Sequence, residues 1–292
     1  MKARIAVFLV GLLLATTQNS GADNLFVANF YAGNIQKFDS SGTGVVFATG
    51  LSQPAGLAFD NAGNLYVANC SAGTVEEFTS SGKGSVFASG VSRPVGLAFD
   101  SAGNLYVASY SGGNIEKFDS SGTGVVFATR LEEPTDLAFD SQGNLYVTDL
   151  TGGRIEKINP AGTATVFAFG LSQPVGLAFD SAGNLFVANS GNNTIEKFTA
   201  TGIGTVFADS GLDEPYGLAF DSAGNLYAGN TGNNTIEEFD ASGVGTVFAN
   251  SGLNVPNNLA FERIIPEPST WAMVAMGIWA VLGGRRLGFR LS

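Results

Sequence analysis

The chain has 292 residues, with 40 glycines, 23 phenylalanines, one cysteine and no histidine. Without imidazole, every mechanism that needs a histidine base, acid or metal ligand is excluded, and a single cysteine excludes an internal disulfide and a multi-cysteine zinc site. Between Asp23 and Ile265, 24 acidic residues stand against 9 Lys or Arg, a net charge of −15. This surface would repel phosphate backbones and attract cations or basic partners, so nucleic acid is not an expected partner.

The N-terminus predicts a cleavable signal peptide over residues 1–22. Lys2 and Arg4 precede an uncharged apolar run at residues 5–15, and small residues end at Ala22, after which we place the cleavage. The alternative is an uncleaved anchor, although the run is shorter than the roughly 20 residues that a membrane span needs. We therefore expect the mature chain to begin at Asp23 and to be exported.

Six copies of one unit of about 40 residues fill the next segment. Each copy contains four short apolar runs separated by turn residues, as in "GLAFD", "NLYVAS", "NIEKF" and "GVVFA". Four antiparallel strands per unit are typical of a propeller blade, and the pattern predicts an all-β, six-bladed β-propeller over residues 23–264. A proline opens each copy: Pro54, Pro94, Pro134, Pro174, Pro215 and Pro256.

The two ends of the repeat region are complementary. The first copy begins at "NLFVAN", a second strand, and the last ends at "NNLAFE", a first strand. We predict that residues 259–261 pair with residues 25–28, so that both chain ends complete one blade and leave no long exposed edge at the seam.

The unit "PVGLAFDSAGNLFVANSGNNTIEKFTATG" resembles the NHL repeat and, more loosely, the gluconolactonase-like and virginiamycin-lyase-like propellers. The resemblance runs over all six copies and implies the same propeller fold. The NHL pattern usually has arginine before the isoleucine, and here only Arg154 supplies it. The lyase-like group relies on a histidine, which this chain lacks, so the resemblance does not imply lyase activity.

Three departures from the repeat predict a metal site. The residue two places after the proline is glycine in four copies but Asp136 and Asn258 in two copies that lie three blades apart, and Asp149 is the only acid among the residues that end the second strands. If the loop "DSQGN" is a simple hairpin, Asp136 lies opposite Asp149, and a cation would relieve their repulsion. We predict a calcium-type site at Asp136 and Asp149, with Asn258 or Asn29 as a further ligand. The alternative is variation between repeats on a solvated acidic rim.

Aromatic side chains give a second candidate site. In a four-stranded meander, the loop before the first strand and the loop between the second and third strands share one end, here called the top, where propellers usually bind ligands. Rings exposed there would stack on sugar faces, and alternatively they would pack against the next blade. The candidates are Phe30, Tyr31, Tyr110 and Tyr216.

The C-terminal segment, residues 265–292, differs from the repeats. The tripeptide "PEP" is followed by an uncharged stretch at residues 269–284 and a basic end, which together predict a short membrane helix with its arginines on the cytoplasmic side. The order resembles the PEP-CTERM sorting signal, which implies processing near the tripeptide by an exosortase-type membrane protease and a bacterium with an extracellular polysaccharide matrix. The alternative is a plain anchor. The sorting residues would be Pro266, Glu267, Pro268, Arg285 and Arg286.

Three functions fit these observations. The first is an exported surface or matrix protein, held transiently in the inner membrane, whose propeller is a non-catalytic platform for a glycan or a protein. The second is an extracellular calcium-dependent lactonase or hydrolase with a metal at the channel mouth. The third is a structural spacer without a ligand. The residues nominate no catalytic group.

Overall fold

The structure, a computed structural model, describes residues 23–262. It contains 24 strands in six four-stranded antiparallel sheets, arranged as the blades of a propeller. The predicted signal peptide with Ala22, and the predicted sorting segment with its membrane helix, lie outside the described residues. Within the described part, no helix is long and apolar enough to cross a membrane.

The strands follow the repeats. The chain opens with β1 (Leu25–Asn29), β2 (Asn34–Phe38) and β3 (Gly44–Thr49). The first blade is β4 (Pro54–Phe59), β5 (Leu65–Asn69), β6 (Thr74–Phe78) and β7 (Gly84–Ser89). The second is β8 (Pro94–Phe99), β9 (Leu105–Ser109), β10 (Asn114–Phe118) and β11 (Gly124–Thr129).

The remaining blades repeat this plan. The third blade is β12 (Pro134–Phe139), β13 (Leu145–Asp149), β14 (Arg154–Ile158) and β15 (Ala164–Phe169). The fourth is β16 (Pro174–Phe179), β17 (Leu185–Asn189), β18 (Thr194–Phe198) and β19 (Gly204–Ala208). The fifth is β20 (Pro215–Phe220), β21 (Leu226–Asn230), β22 (Thr235–Phe239) and β23 (Gly245–Ala249), and the last strand is β24 (Pro256–Phe261).

A closing blade joins the two ends of the described chain. Its strand order is β24-β1-β2-β3, and β24 runs antiparallel to β1 with Leu25 opposite Phe261 and Val27 opposite Leu259. The pairing continues past the strands, because the Glu262 N–H donates to the Asn24 carbonyl at 3.0 Å. The predicted closure of the ring is confirmed.

The hydrophobic core is divided among the six boundaries between blades. At each boundary a tyrosine or phenylalanine of a second strand lies edge-on to two phenylalanines. Tyr146, for example, lies 4.9 Å from Phe167 in its own blade and 5.1 Å from Phe179 in the next blade, measured between ring centroids. Because both faces of a blade are buried in this way near the channel, its first and second strands are apolar on both sides.

The innermost strands approach one another closely around the channel. A Cβ on Gly56 would lie 1.9 Å from the Val95 carbonyl oxygen, and one on Gly176 would lie 2.0 Å from the Tyr216 carbonyl oxygen. Since no side chain fits at such distances, glycine two places after the proline sets the spacing between neighbouring blades. Asp136 and Asn258 occupy this position in the third and closing blades.

Candidate functional site

The predicted grouping of loops at the top is confirmed. In each blade the residue that follows the second strand donates its N–H to the loop that enters the first strand. The Cys70 N–H bonds the Gln53 carbonyl at 3.1 Å, and the Tyr110 N–H bonds the Arg93 carbonyl at 3.1 Å. The top therefore carries the predicted aromatic residues and the positions of Asp136 and Asp149.

The prediction that Asp136 lies opposite Asp149 is wrong. Asp149 pairs with Pro134, and the next pair along the ladder is Leu137 with Val147. The register shifts between these pairs, so Thr135 and Asp136 lie in an irregular segment of β12. Counting residues from the hairpin loop assumes a ladder without a bulge, and the extra residue moves Asp136 away from Asp149.

A guanidinium group supplies the positive charge beside Asp149. Nη2 of Arg154 lies 2.8 Å from the fully buried Asp149 carboxylate, and Nε of Arg154 lies 2.8 Å from Glu156. The same Asp149 carboxylate accepts the backbone N–H groups of Glu132 and Glu133 at 3.2 and 3.1 Å. Sequence reasoning missed this pair. The signal was present, because the only acid that ends a second strand, Asp149, and the only arginine that begins a third strand, Arg154, occur in the same copy of the repeat.

These contacts do not fit the predicted calcium site. Asp136 and Asp149 have separate partners, and Asn29 bonds Asn34 and the loop at Gly252. In residues 23–262, no group of three or more His, Cys, Asp or Glu side chains is placed to hold a metal ion. The positive charge beside the Asp149 carboxylate is the guanidinium of Arg154.

Asp136 belongs to a buried polar network between the third and fourth blades. Its Oδ2 accepts the Leu177 N–H at 3.0 Å, and its own N–H donates to Oγ1 of Thr148 at 3.0 Å. Thr148 in turn donates to the Val175 carbonyl at 2.5 Å and lies 2.9 Å from Oγ1 of Thr135. Burial raises the pKa of Asp136 to about 7, against a smaller opposing effect of the Leu177 hydrogen bond.

Asn258 has the same role three blades away. Its Oδ1 accepts the Leu57 N–H of the first blade at 3.3 Å. Asp136 and Asn258 thus each connect one innermost strand to the next, where the other four boundaries have glycine and direct backbone packing. The two residues lie three blades apart, as predicted. Each side chain hydrogen-bonds to the innermost strand of the neighbouring blade.

Two of the four predicted aromatic residues belong to the channel mouth. Burial is the main cause that raises the pKa of Tyr216, and the neighbouring charges of Asp136, Tyr110 and Cys70 raise it further. A side-chain hydrogen bond with Asn257 opposes these effects. The Arg93 guanidinium lies 4.9 Å from the centroid of the Tyr110 ring, and burial raises the pKa of that hydroxyl. Both rings are partly buried, and Tyr216 packs against the core between the fourth and fifth blades, as the packing alternative predicts.

Phe30 and Tyr31 form a separate aromatic pair on the closing blade. Their ring centroids are 5.2 Å apart in an edge-on arrangement, and the Phe30 N–H bonds the Val255 carbonyl. Tyr31 is 67% exposed and is the one predicted ring that presents a free face. Of the four predicted rings, Tyr31 therefore offers the largest free surface for a ligand at the top.

The asparagines that end the second strands are structural. Oδ1 of Asn69 accepts the Ser52 N–H, and Oδ1 of Asn230 accepts the Asp213 N–H, at 3.3 and 3.2 Å. These bonds cap the loop before the first strand. The aspartates at the opposite end, such as Asp60, cap their own hairpin loops.

Several cavities open at the end opposite the top, here called the bottom. One of about 530 Å³ lies between the third and fourth blades and is lined by Asp140, Tyr146, Lys157 and Phe179 among others. Another of about 640 Å³ includes Phe59 and Phe99 of the innermost strands. Sequence reasoning placed ligands at the top only.

The fold defines the class of the protein, a six-bladed propeller of four-stranded antiparallel blades. Within this class the chain belongs to the virginiamycin B lyase family, whose model matches residues 14–262. No curated protein matches the chain significantly.

Solved structures share this fold at low sequence identity. Virginiamycin B lyase from Staphylococcus aureus aligns with a TM-score of 0.65 at 16% identity, over 84% of this chain and 92% of the lyase chain. A chain of the nidogen–laminin complex aligns with a TM-score of 0.75 at 21% identity, over 82% and 98%. A gluconolactonase from Xanthomonas campestris aligns with a TM-score of 0.64 at 18% identity, over 80% and 85%. At these identities the similarity shows the fold alone.

One of these relatives bears on the chemistry. A variant of the Staphylococcus aureus lyase in which a histidine is replaced by alanine is catalytically inactive and was solved with quinupristin. The present chain has no histidine at any position. It therefore has the propeller of the family without the residue type on which that enzyme depends.

Proposed function

We propose that the protein is an exported surface or matrix protein whose propeller is a non-catalytic binding platform for a glycan or a protein. The predicted signal peptide at residues 1–22 and the sorting segment at residues 265–292 support export and processing by an exosortase-type protease. Until processing, the C-terminal segment would hold the protein in the inner membrane.

The absence of histidine from a chain of this family is the observation that carries the proposal. At the channel mouth, the polar side chains that depart from the repeat are bonded to neighbouring backbone or to Arg154, as Asp136 and Asp149 are. Groups committed to structural bonds are poorly suited to proton transfer, since a general base needs free access to its substrate. A platform function requires only exposed surface and a rigid ring.

The nidogen–laminin complex favours this function over a structural spacer. That structure contains a chain of the same fold within a protein–protein complex. The exposed Tyr31 ring and the cavities at the bottom offer surface for a sugar or a protein segment. A spacer would need neither.

The alternative is a calcium-dependent lactonase, which the gluconolactonase from Xanthomonas campestris favours by fold. Such an enzyme needs three or four convergent oxygen ligands and a base. The acids nominated from the sequence, Asp136 and Asp149, do not converge. We therefore place this function second.

The test uses residues 23–262, which contain all six blade boundaries and the ring closure. The protein is applied to a glycan array and to matrix proteins, and is assayed in parallel for hydrolysis of lactones and of a streptogramin with and without calcium. We expect metal-independent binding and no turnover. Calcium-dependent turnover would favour the lactonase function over the platform function. If neither binding nor turnover is detected, the structural-spacer function would be favoured. Export is tested separately by locating the full chain with and without residues 265–292.

A further inference from the structure

The fourth strand of every blade is an edge of its sheet, and its pairing with the third strand contains a bulge. Each of these strands ends its sheet, so the described part of the chain offers no partner to its outer side. None of the six contains Asp, Glu, Lys, Arg or Pro, whereas residues 23–265 contain 24 acidic and 9 basic residues in total. The strands, here called the rim strands, are β3, β7, β11, β15, β19 and β23.

One apolar side chain is exposed at the same place in every rim strand. It is a valine in all six blades, between 53% and 61% exposed. In the second blade it lies opposite Glu116 of the neighbouring strand, so its side chain is on the same face of the sheet as that carboxylate and is not part of the core. The six residues are Val46, Val86, Val126, Val166, Val206 and Val247.

Such an edge is a template for another strand, because its outward N–H and C=O groups have no partner strand. Proteins normally protect edges with lysine, proline, inward charges, bulges or short strands. The rim strands have bulges and are short, but they contain no charged residue and no proline. Here the body carries a large negative charge, yet the rim strands carry none. A charged incoming strand would lose its hydration against the valines without gaining an ion pair, whereas an uncharged, β-branched strand would satisfy the backbone and bury apolar surface. The rim strands of another copy have this composition.

We propose that the rim strands pair with rim strands of a second copy of this chain, forming continuous sheets from one propeller to the next. A groove beside β3 would receive side chains of the incoming strand. It has a volume of about 600 Å³ and is lined by Phe47, Phe78 and Val86, with Glu76 at one side. This self-association is independent of any ligand at the top or bottom.

The size of the contact determines the kind of assembly. A six-residue strand is about 20 Å long, and pairing two of them falls short of the roughly 800 Å² per partner that stable interfaces bury. A single contact is therefore weak. Six rims on one ring make the association multivalent, so assemblies grow with concentration instead of stopping at a dimer.

The six rims are not equivalent. Lys83 and Arg130 flank β7 and β11, and their charge opposes the approach of an identical strand. By contrast, β15 ends in Phe169, which is 85% exposed. We expect β15 to pair most readily and β7 and β11 least.

The first experiment measures sedimentation of residues 23–262 between about 5 and 500 µM, where we expect the weight-average mass to rise at least about threefold. Replacing all six rim valines by lysine should leave a monomer over this range. The matched control places six lysines in exposed turns that do not adjoin the rim strands, at Ala32, Asn61, Ser101, Ser141, Ser181 and Ser222, and should associate like the parent. Thermal unfolding of both variants verifies the fold.

The second experiment compares amide hydrogen exchange at the two ends of the concentration range. Pairing predicts new protection confined to the rim strands, at least about tenfold in β15 and smaller in β7 and β11. A chain that stays monomeric, association that survives the rim lysines, or protection elsewhere on the surface would each overturn the proposal. Because these readouts use no ligand, their failure leaves the binding-platform function untouched.

Discussion

The third and fourth blades share one strand plan but differ at the top. In the fourth blade the residues beside the channel are Val175, Gly176 and Ala188, which have no polar side chains. At the equivalent places the third blade has Thr135, Asp136 and Thr148, which form a buried hydrogen-bond network. Towards the bottom the two blades have equivalent ion pairs, with Lys157–Asp140 at 3.5 Å and Lys197–Asp180 at 3.6 Å.

This difference shows that the aromatic boundaries carry the fold and leave the top free to vary. Tyr146 and Phe186 have nearly the same edge-on arrangement with their two phenylalanine neighbours, although the tops above them differ. A polar network can therefore replace glycine packing at one boundary, provided that every buried group in it has a partner. Four predictions test this reading.

The largest effect is expected from opening the ring, because both blades depend on its closure. Removing residues 257–262 takes away most of β24 and leaves β1 without its inner partner. We expect loss of cooperative unfolding in calorimetry, whereas a chain that ends at Glu262 should unfold in one transition. A shortened protein that is as heat-resistant as this control would contradict the closed ring.

The next effect is specific to the third blade. Arg154→Thr leaves the buried Asp149 carboxylate without its cation, and we expect a loss of about 3–4 kcal/mol in the free energy of unfolding. Adding Asp149→Asn recreates the pair found in the fourth blade, Asn189 and Thr194, and should restore stability to within about 1 kcal/mol. Urea denaturation measures both. A double variant as unstable as the single one would show that Arg154 acts through something other than Asp149.

Asp136 gives the third blade a pH dependence that the fourth lacks. Its folded pKa of about 7 lies above the unfolded value of 3.8, so the folded state holds the proton more tightly. The group therefore costs no stability below pH 3.8, and the cost grows as the pH rises from 3.8 to about 7, above which it stays constant.

Asp136→Asn removes this ionisation and keeps an acceptor for the Leu177 N–H, as Asn258 does for Leu57. We expect little change near pH 4 and a gain of about 2–3 kcal/mol at pH 8. Urea denaturation across this pH range measures the gain. The control is Asp119→Asn, because hydrogen bonds hold the pKa of that exposed carboxyl below its usual value. A gain that is equal at both pH values would argue against a raised pKa.

The smallest effect concerns Thr148, which the fourth blade replaces with Ala188. Thr148→Ala leaves the Asp136 N–H and Oγ1 of Thr135 without this partner, and should cost about 1–2 kcal/mol in urea denaturation. The exposed Thr163 is the control, and its change to alanine should cost less than about 0.5 kcal/mol. Equal losses at both positions would mean that the network adds no stability.

Much of this molecule could be predicted from its repeats. Strand number, blade number and the seam follow from spacing, because each copy must bury the same faces. The pairing of Asp136 could not be predicted, since a bulge leaves no mark on the period of two that locates a side chain. The partner of Asp149 required tertiary contacts, although Arg154 was already visible as an exception. The rim was overlooked because an uncharged strand gives the same pattern whether its outer side is covered or open.

The seam has a mechanical consequence. The Asn24 side chain bonds Glu262, so the chain enters and leaves the ring at neighbouring points. A tether that continues beyond Glu262 would transmit tension directly into β24, which one strand pair joins to the rest of its sheet. Under a pulling force this strand would peel away first, and the other five blades would bear load only after it had gone.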